Sequence, residues 1–190
     1  MTRYKVGYII GSLAKNSINR KLAMALVKLA PERLEFSEIS FKDLPLYSYD
    51  YDDNYPEVAR QFKQAIERSD AILFVTPEYN RSIPGALKNA IDWATRPYGS
   101  NSFTHKPSAV IGTSPGAIGT ALAQEDLRAI LNYCNSPQMT APEAYIQFKP
   151  DLVTGNGDIT VASTKEFLRT FMLEFDAFIE RVLSAPPRKT

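Results

Sequence analysis

Cysteine and histidine are almost missing: Cys134 and His105 are the only ones in 190 residues. A single cysteine excludes an intramolecular disulfide framework, a cysteine-ligated iron–sulfur cluster and a CxxC redox pair. A histidine metal site or a Ser-His-Asp triad would rest on His105 alone. That residue lies in a polar loop without a patterned partner, so we expect it to be solvent-exposed. Charge of one sign is also lacking, since the formal net charge is +1. This argues against nucleic-acid binding, for which a clearly basic face is expected. It also argues against the strong acidity of small carriers that dock by charge. No apolar run approaches a membrane span. The short N-terminal apolar run has no small-residue cleavage site, so no signal peptide is expected and the cytoplasm is the expected compartment. Repeats and interdomain linkers are absent, and the length suits one domain over residues 1–190.

Five apolar segments alternate with helix-spaced patterns. Tyr4 to Ile10 reads as a first strand, Leu34 to Ile39 as a second and Ala71 to Val75 as a third, buried on both faces. Pro107 to Gly112 and Ala144 to Phe148 supply two more. Between them, Leu22, Ala25, Leu26 and Leu29 mark one helix, and Val58, Phe62, Ala65 and Ile66 a second within Glu57 to Arg68. Leu87, Ala90, Ile91 and Ala94 mark a third, followed by helices over Ala121 to Tyr133 and Ser163 to Leu183. Residues 186–189 should be a frayed tail. Alternation of this kind predicts an α/β fold: a flavodoxin-like three-layer sandwich with a parallel sheet of order 2-1-3-4-5. The segment from Phe41 to Pro56, rich in tyrosine and without periodicity, has the length of a functional or mobile connection.

Three strand-to-helix loops carry the chemistry. The first, Gly11 to Asn19, offers Ser12, Ser17 and Asn19 at the start of a helix, where unsatisfied N–H groups and the helix dipole attract an anion. A phosphomonoester would fit there, although Ser17 alone could also be a simple N-cap. The loop is neither G-x-G-x-x-G nor G-x-x-x-x-G-K-[ST], which favours a mononucleotide over a dinucleotide or a P-loop ligand. The second, Thr76 to Gly85, is stiffened by Pro77 and Pro84 and should present Tyr79 and backbone N–H groups to a flat ligand with polar edges. The third, Thr113 to Thr120, has glycines that let backbone approach a ligand closely. All three should meet at the carboxyl edge of the sheet.

Gly11-Ser12-x4-Ser17-x-Asn19, Pro77-Glu78-Tyr79-Asn80-x-Ser82-x-Pro84-Gly85-x-Leu87-Lys88-Asn89-Ala90-Ile91-Asp92-Trp93 and Thr113-Ser114-x-Gly116-x2-Gly119 together resemble the NADPH-dependent FMN reductase family, nearest to its bacterial quinone and chromate reductases. The resemblance implies bound FMN and two-electron transfer from NADPH or NADH to quinones or related small-molecule acceptors. It also implies homodimers or homotetramers with the flavin near the interface. By position, Ser12, Ser17 and Asn19, with the backbone of Leu13, Ala14 and Ile18, would hold the FMN phosphate. Pro77, Glu78, Tyr79, Asn80 and Arg81 would line the isoalloxazine ring, and Ser114 and Gly116 would close the far side. No side chain need be catalytic, because hydride transfer belongs to flavin N5. Glu78 would be either a backbone-orienting or a catalytic carboxylate. A flavodoxin-like electron carrier and a flavin-binding regulator are the alternative readings.

Three positions depart from the family pattern: Ala14 and Leu122 where relatives often have arginine, and Arg81 where tyrosine is common. The first removes a charge-assisted phosphate contact, so amides, hydroxyls or Lys15 would have to meet the phosphate charge. Arg81 could form an inter-subunit ion pair with Glu125 or Glu143, steer the 2′-phosphate of NADPH or an anionic acceptor, or simply be solvated. The loop bearing Tyr47, Tyr49, Tyr51 and Tyr55 could cover a neighbouring subunit's flavin or pack locally.

Overall fold

The computed structural model describes residues 2–185; the tail expected over 186–189 lies outside the described residues. The chain runs β1 (Tyr4–Ile10), α1 (Ile18–Leu29), β2 (Leu34–Glu38), a 3₁₀ turn (Tyr49–Tyr51), α2 (Glu57–Glu67), β3 (Ala71–Val75), α3 (Gly85–Ala94), β4 (Ser108–Ser114), α4 (Ala121–Tyr133), β5 (Tyr145–Gln147) and α5 (Ala162–Leu183). The five strands form one parallel sheet in the order β2-β1-β3-β4-β5. This is the flavodoxin-like arrangement, with the first crossover reversing direction between β1 and β3.

Alternation along β3 sorts the two cores. Ala71, Leu73 and Val75 face α1 and α5 and pack with Leu22, Leu26, Phe171 and Phe175. Ile72 and Phe74 face the other way, against Phe62, Ile66, Leu87, Ile91 and Leu127 of α2, α3 and α4. Both faces are covered, which is why the strand reads as an unbroken apolar run. Arg33, just before β2, ties α5 to the sheet through Asp176 (2.7 Å) and Glu180 (2.8 Å).

Two features differ from the sequence expectations. Strand β4 continues through Thr113 and Ser114, because Thr113 is paired on both sides: its Oγ1 donates to Ile146 O (2.8 Å), and its backbone meets Asn19. The tyrosine-rich connection is anchored rather than loose. Trp93, fully buried on α3, gathers Tyr47, Tyr51 and Tyr55 with ring centroids 5.1, 5.3 and 5.0 Å away. The indole N–H donates to Pro45 O (2.7 Å), and the Asn89 amide clamps Pro45 O and Tyr47 N (2.9 and 2.8 Å). Local packing of these rings is therefore realised within one chain, while Leu46 and Tyr49 stay exposed.

Candidate functional site

The floor of the site is the turn from β1 into α1. The Ser17 Oγ accepts from Arg20 N (3.2 Å), so it is the N-cap of α1. Ser12 Oγ accepts from Ala14 N (3.3 Å). In both, the backbone contact uses an oxygen lone pair and leaves the O–H free to donate outward. Among the described residues, the N–H groups of Lys15, Asn16, Ser17, Ile18 and Asn19 find no acceptor. Five successive unpaired donors at a helix N-terminus form an anion cradle.

Asn19 makes a contact that the sequence did not announce. Its side chain is buried, with Nδ2 donating to Thr113 O and Oδ1 accepting from Thr113 N, both at 2.9 Å. Residues 111 and 113 of β4 point their peptide groups to the β3 side. Ile111 O is met there by Thr76 N (2.9 Å), but the strand ends at Val75 and the chain turns away at Pro77, so neither Thr76 O nor the N–H of Glu78, the next groups on that edge, bonds Thr113. The Asn19 carboxamide takes the place of the missing peptide and carries the ladder one step further. Its oxygen and one of its two N–H groups are occupied, so it fixes the first loop to the third and keeps one N–H for the cleft it lines.

The second loop is built on a two-residue turn. Tyr79 and Ser82 exchange backbone hydrogen bonds (2.9 and 3.0 Å), with Asn80 at φ 51° and Arg81 at φ 67° between them. Positive φ at both central positions defines a type I′ turn. Glu78 precedes it, and its Oε2 accepts from Leu122 N (3.1 Å) and Ala123 N (3.2 Å). Helix α4 has no side-chain cap of its own, so Glu78 caps it from 44 residues away. Of its two expected roles, backbone orientation is the one this geometry serves. Behind the turn the chain comes close to β4: a Cβ on Gly112 would lie 2.0 Å from Thr76 O, so only glycine fits there.

In the third loop the Ser114 O–H donates to Gly119 O (2.5 Å) and its oxygen accepts from Gly116 N (3.2 Å), holding a turn in which Gly119 takes φ +60°.

A cleft of about 250 Å³ opens between the loops, lined by Ser12, Ala14, Ser17, Ile18, Asn19, Pro77, Glu78, Tyr79 and Ser114, together with Asn16, Thr113 and Pro115. It lies at the small end of ligand cavities and is open to solvent, so an occupant keeps one face accessible. Leu13, Asn80, Arg81 and Gly116 stand outside it. Leu13 borders a smaller cavity of about 90 Å³ beside Arg20 and Glu38, Asn80 and Arg81 form the turn tip, and Gly116 is exposed. Asn16 and Pro115 escaped the sequence reading because neither side chain has distinctive chemistry. Two cations near the floor are engaged elsewhere, while Lys15, in the turn itself, is exposed. Arg20 holds Glu38 bidentately (2.7 and 2.8 Å), keeping that carboxyl below its usual range, and Lys21 lies over the Phe148 ring at 6.0 Å. No metal-binding cluster occurs among the described residues, and His105 is exposed. Burial pushes the Cys134 thiol up to about 11, so it is no nucleophile.

The sheet order and the loops at its carboxyl edge define a flavodoxin-like protein with a cleft suited to a phosphate-bearing ligand. Residues 4–151 match the family model of NADPH-dependent FMN reductases, and the chain belongs to that family. It is 49% identical over 175 residues to a 2-hydroxy-1,4-benzoquinone reductase of Burkholderia sp., covering 92% of this chain and 96% of the relative. A quinone reductase of Pseudomonas putida is 44% identical over 178 residues, covering 93% and 95%. Among solved structures, the flavoenzyme FerB of Paracoccus denitrificans, an NAD(P)H:(acceptor) oxidoreductase, superposes with a TM-score of 0.91 at 49% identity, covering 94% and 98%.

Proposed function

We propose that this chain is an FMN-dependent NAD(P)H:quinone oxidoreductase whose flavin lies in the cleft described above. The observation that carries the reading is the run of unpaired N–H groups from Lys15 to Asn19 beside two outward-donating serine hydroxyls. These neutral donors and the α1 dipole suit a phosphomonoester, and no side-chain cation is needed where Ala14 stands. Thr113 to Pro115 and Pro77 to Tyr79 both line the cleft and would hold a flat ring. The N–H groups of Glu78 and Asn80, without acceptors among the described residues, are available to polar ring edges. When bound, FMN supplies hydride-transfer chemistry at its N5 atom. The protein's share is to bind, to orient and to keep one face open. Asn19 and Glu78 lock the three loops to β4 and α4.

The oligomer belongs to the same reading. Leu13, Leu46, Tyr49, Tyr79, Ile118 and Leu122 are exposed on loops and helix starts at the carboxyl edge. A second copy of the chain would cover them and narrow the open cleft, giving a homodimer or homotetramer. We place the protein in the cytoplasm, where its NADPH or NADH donor is available; no helix among the described residues is long and apolar enough to cross a membrane.

The test is an anaerobic titration of the FMN-loaded protein with NADPH, followed by 1,4-benzoquinone. Bleaching of the bound flavin and stoichiometric recovery on adding quinone are expected. Bound flavin that NADPH leaves oxidised would overturn the reading in favour of a carrier or regulator.

A further inference from the structure

Arg81 occupies a position that its backbone argues against. It is the second central residue of the type I′ turn, at φ 67°, where glycine is the favoured occupant. Strained left-handed backbone in a non-glycine residue persists only where the surroundings hold it, and it clusters at ligand sites. The side chain is 68% exposed, and its Nη1 lies 3.5 Å from Glu78 Oε1, too long for a good hydrogen bond. The other oxygen of Glu78 is committed to the N-terminus of α4. Among the described residues, no hydrogen bond reaches the Arg81 guanidinium. The turn therefore holds a planar fork of donors at the rim of the cleft, next to the half-exposed Tyr79 and against a carboxylate that lines the cleft. The neighbouring arginine of the floor, Arg20, is closed off by Glu38.

We propose that Arg81 recognises an anionic group on the second reactant, the one that enters the open face of the cleft; this rests on the quinone-reductase reading above. The chemistry is a pair of anionic oxygens that a guanidinium can grip bidentately. Two sources present it. One is the 2′-phosphate that distinguishes NADPH from NADH. The other is the ionised hydroxyl and adjacent carbonyl of a hydroxyquinone, which an unsubstituted quinone lacks. Glu78 acts as the resting counter-ion, releasing the fork when a stronger anion arrives.

The experiment compares wild type with Arg81→Asn and Arg81→Gly, both of which tolerate positive φ and so preserve the turn. On FMN-loaded protein, kcat/KM is measured for NADPH and NADH with 1,4-benzoquinone, and then for 2-hydroxy-1,4-benzoquinone and 1,4-benzoquinone with NADH. Removing the guanidinium should lower one of the two ratios, NADPH:NADH or hydroxyquinone:quinone, by about fivefold, the size of a partly exposed charge-assisted contact. The ratio that falls identifies the source. The melting temperature should hold or rise, because the strain is relieved; a residue with a purely structural role would lower it. Binding of adenosine 2′,5′-bisphosphate against 5′-AMP gives the donor arm without turnover. Unchanged ratios in both arms overturn the proposal, as does a change in sedimentation size with unchanged ratios, which would make Arg81 an assembly residue. If wild type fails to oxidise NADPH, the quinone-reductase reading falls by itself, and the bisphosphate binding still decides the role of Arg81.

Discussion

Replacing Asn19 with alanine removes two hydrogen bonds of 2.9 Å and leaves the N–H and C=O of Thr113 without partners in a buried position. Each orphaned group carries a desolvation cost of about 1–3 kcal/mol, part of which water from the adjoining cleft recovers, so a loss of about 3 kcal/mol is expected. For a chain of this length each kcal/mol moves the melting temperature by about 2–4 °C, giving a fall of about 6–12 °C. Asn19→Asp should be worse, because a carboxylate oxygen would replace the amide donor that faces Thr113 O. Calorimetry on the three proteins, with FMN removed, provides the measurement. A fall of less than about 2 °C for the alanine variant would refute the view that Asn19 stands in for the missing β3 peptide. FMN affinity should drop in the same variant, since the first and third loops lose their tether.

Glu78→Gln keeps one acceptor but loses the charge at the start of α4; it should cost about 1 kcal/mol in urea unfolding and weaken FMN binding through the displaced turn. Asn89→Ala unfastens Pro45 and Tyr47, so limited proteolysis should begin cutting between Leu46 and Asp53, where the wild type resists. Burial pushes the Lys63 ammonium, which donates to Ala94 O and Ser100 O, down to about 8 from 10.5. Between those values the unfolded chain binds more protons than the native one, so this residue's contribution makes stability rise with pH across that window. The stability difference between wild type and Lys63→Met should therefore shift in favour of wild type by about 2 kcal/mol from pH 7.5 to pH 10, whereas parallel curves would show that the ammonium is not desolvated.

Much of the fold was legible because the strands lie in sequence with their signals intact. Ala71 to Val75 is apolar throughout since both faces are covered, and Leu87, Ala90, Ile91 and Ala94 are all buried at helical spacing. The N-cap at Ser17 was legible in the first loop, and its contact to Arg20 N leaves the hydroxyl hydrogen free for the phosphate role expected of it. What escaped depends on partners far along the chain. Asn19 answers to Thr113, 94 residues away, because β3 ends at Val75 while β4 runs on to Ser114. Glu78 caps a helix that begins beyond a whole βα unit. The anchoring of the tyrosine-rich connection turns on Trp93, whose burial is set by three rings brought in from 38–46 residues before it. Local pattern cannot carry such information, because each partner is ordinary in its own neighbourhood.

The central claim is that the turn from β1 into α1 grips a flavin by its phosphate using neutral donors. Comparing the dissociation constants of FMN and riboflavin for the flavin-free protein, by fluorescence titration, tests it most directly. Two hydroxyls and several amides on a dianion predict FMN binding at least about a hundredfold tighter than riboflavin, with the gap narrowing in Ser17→Ala. Equal affinities for FMN and riboflavin would contradict the account.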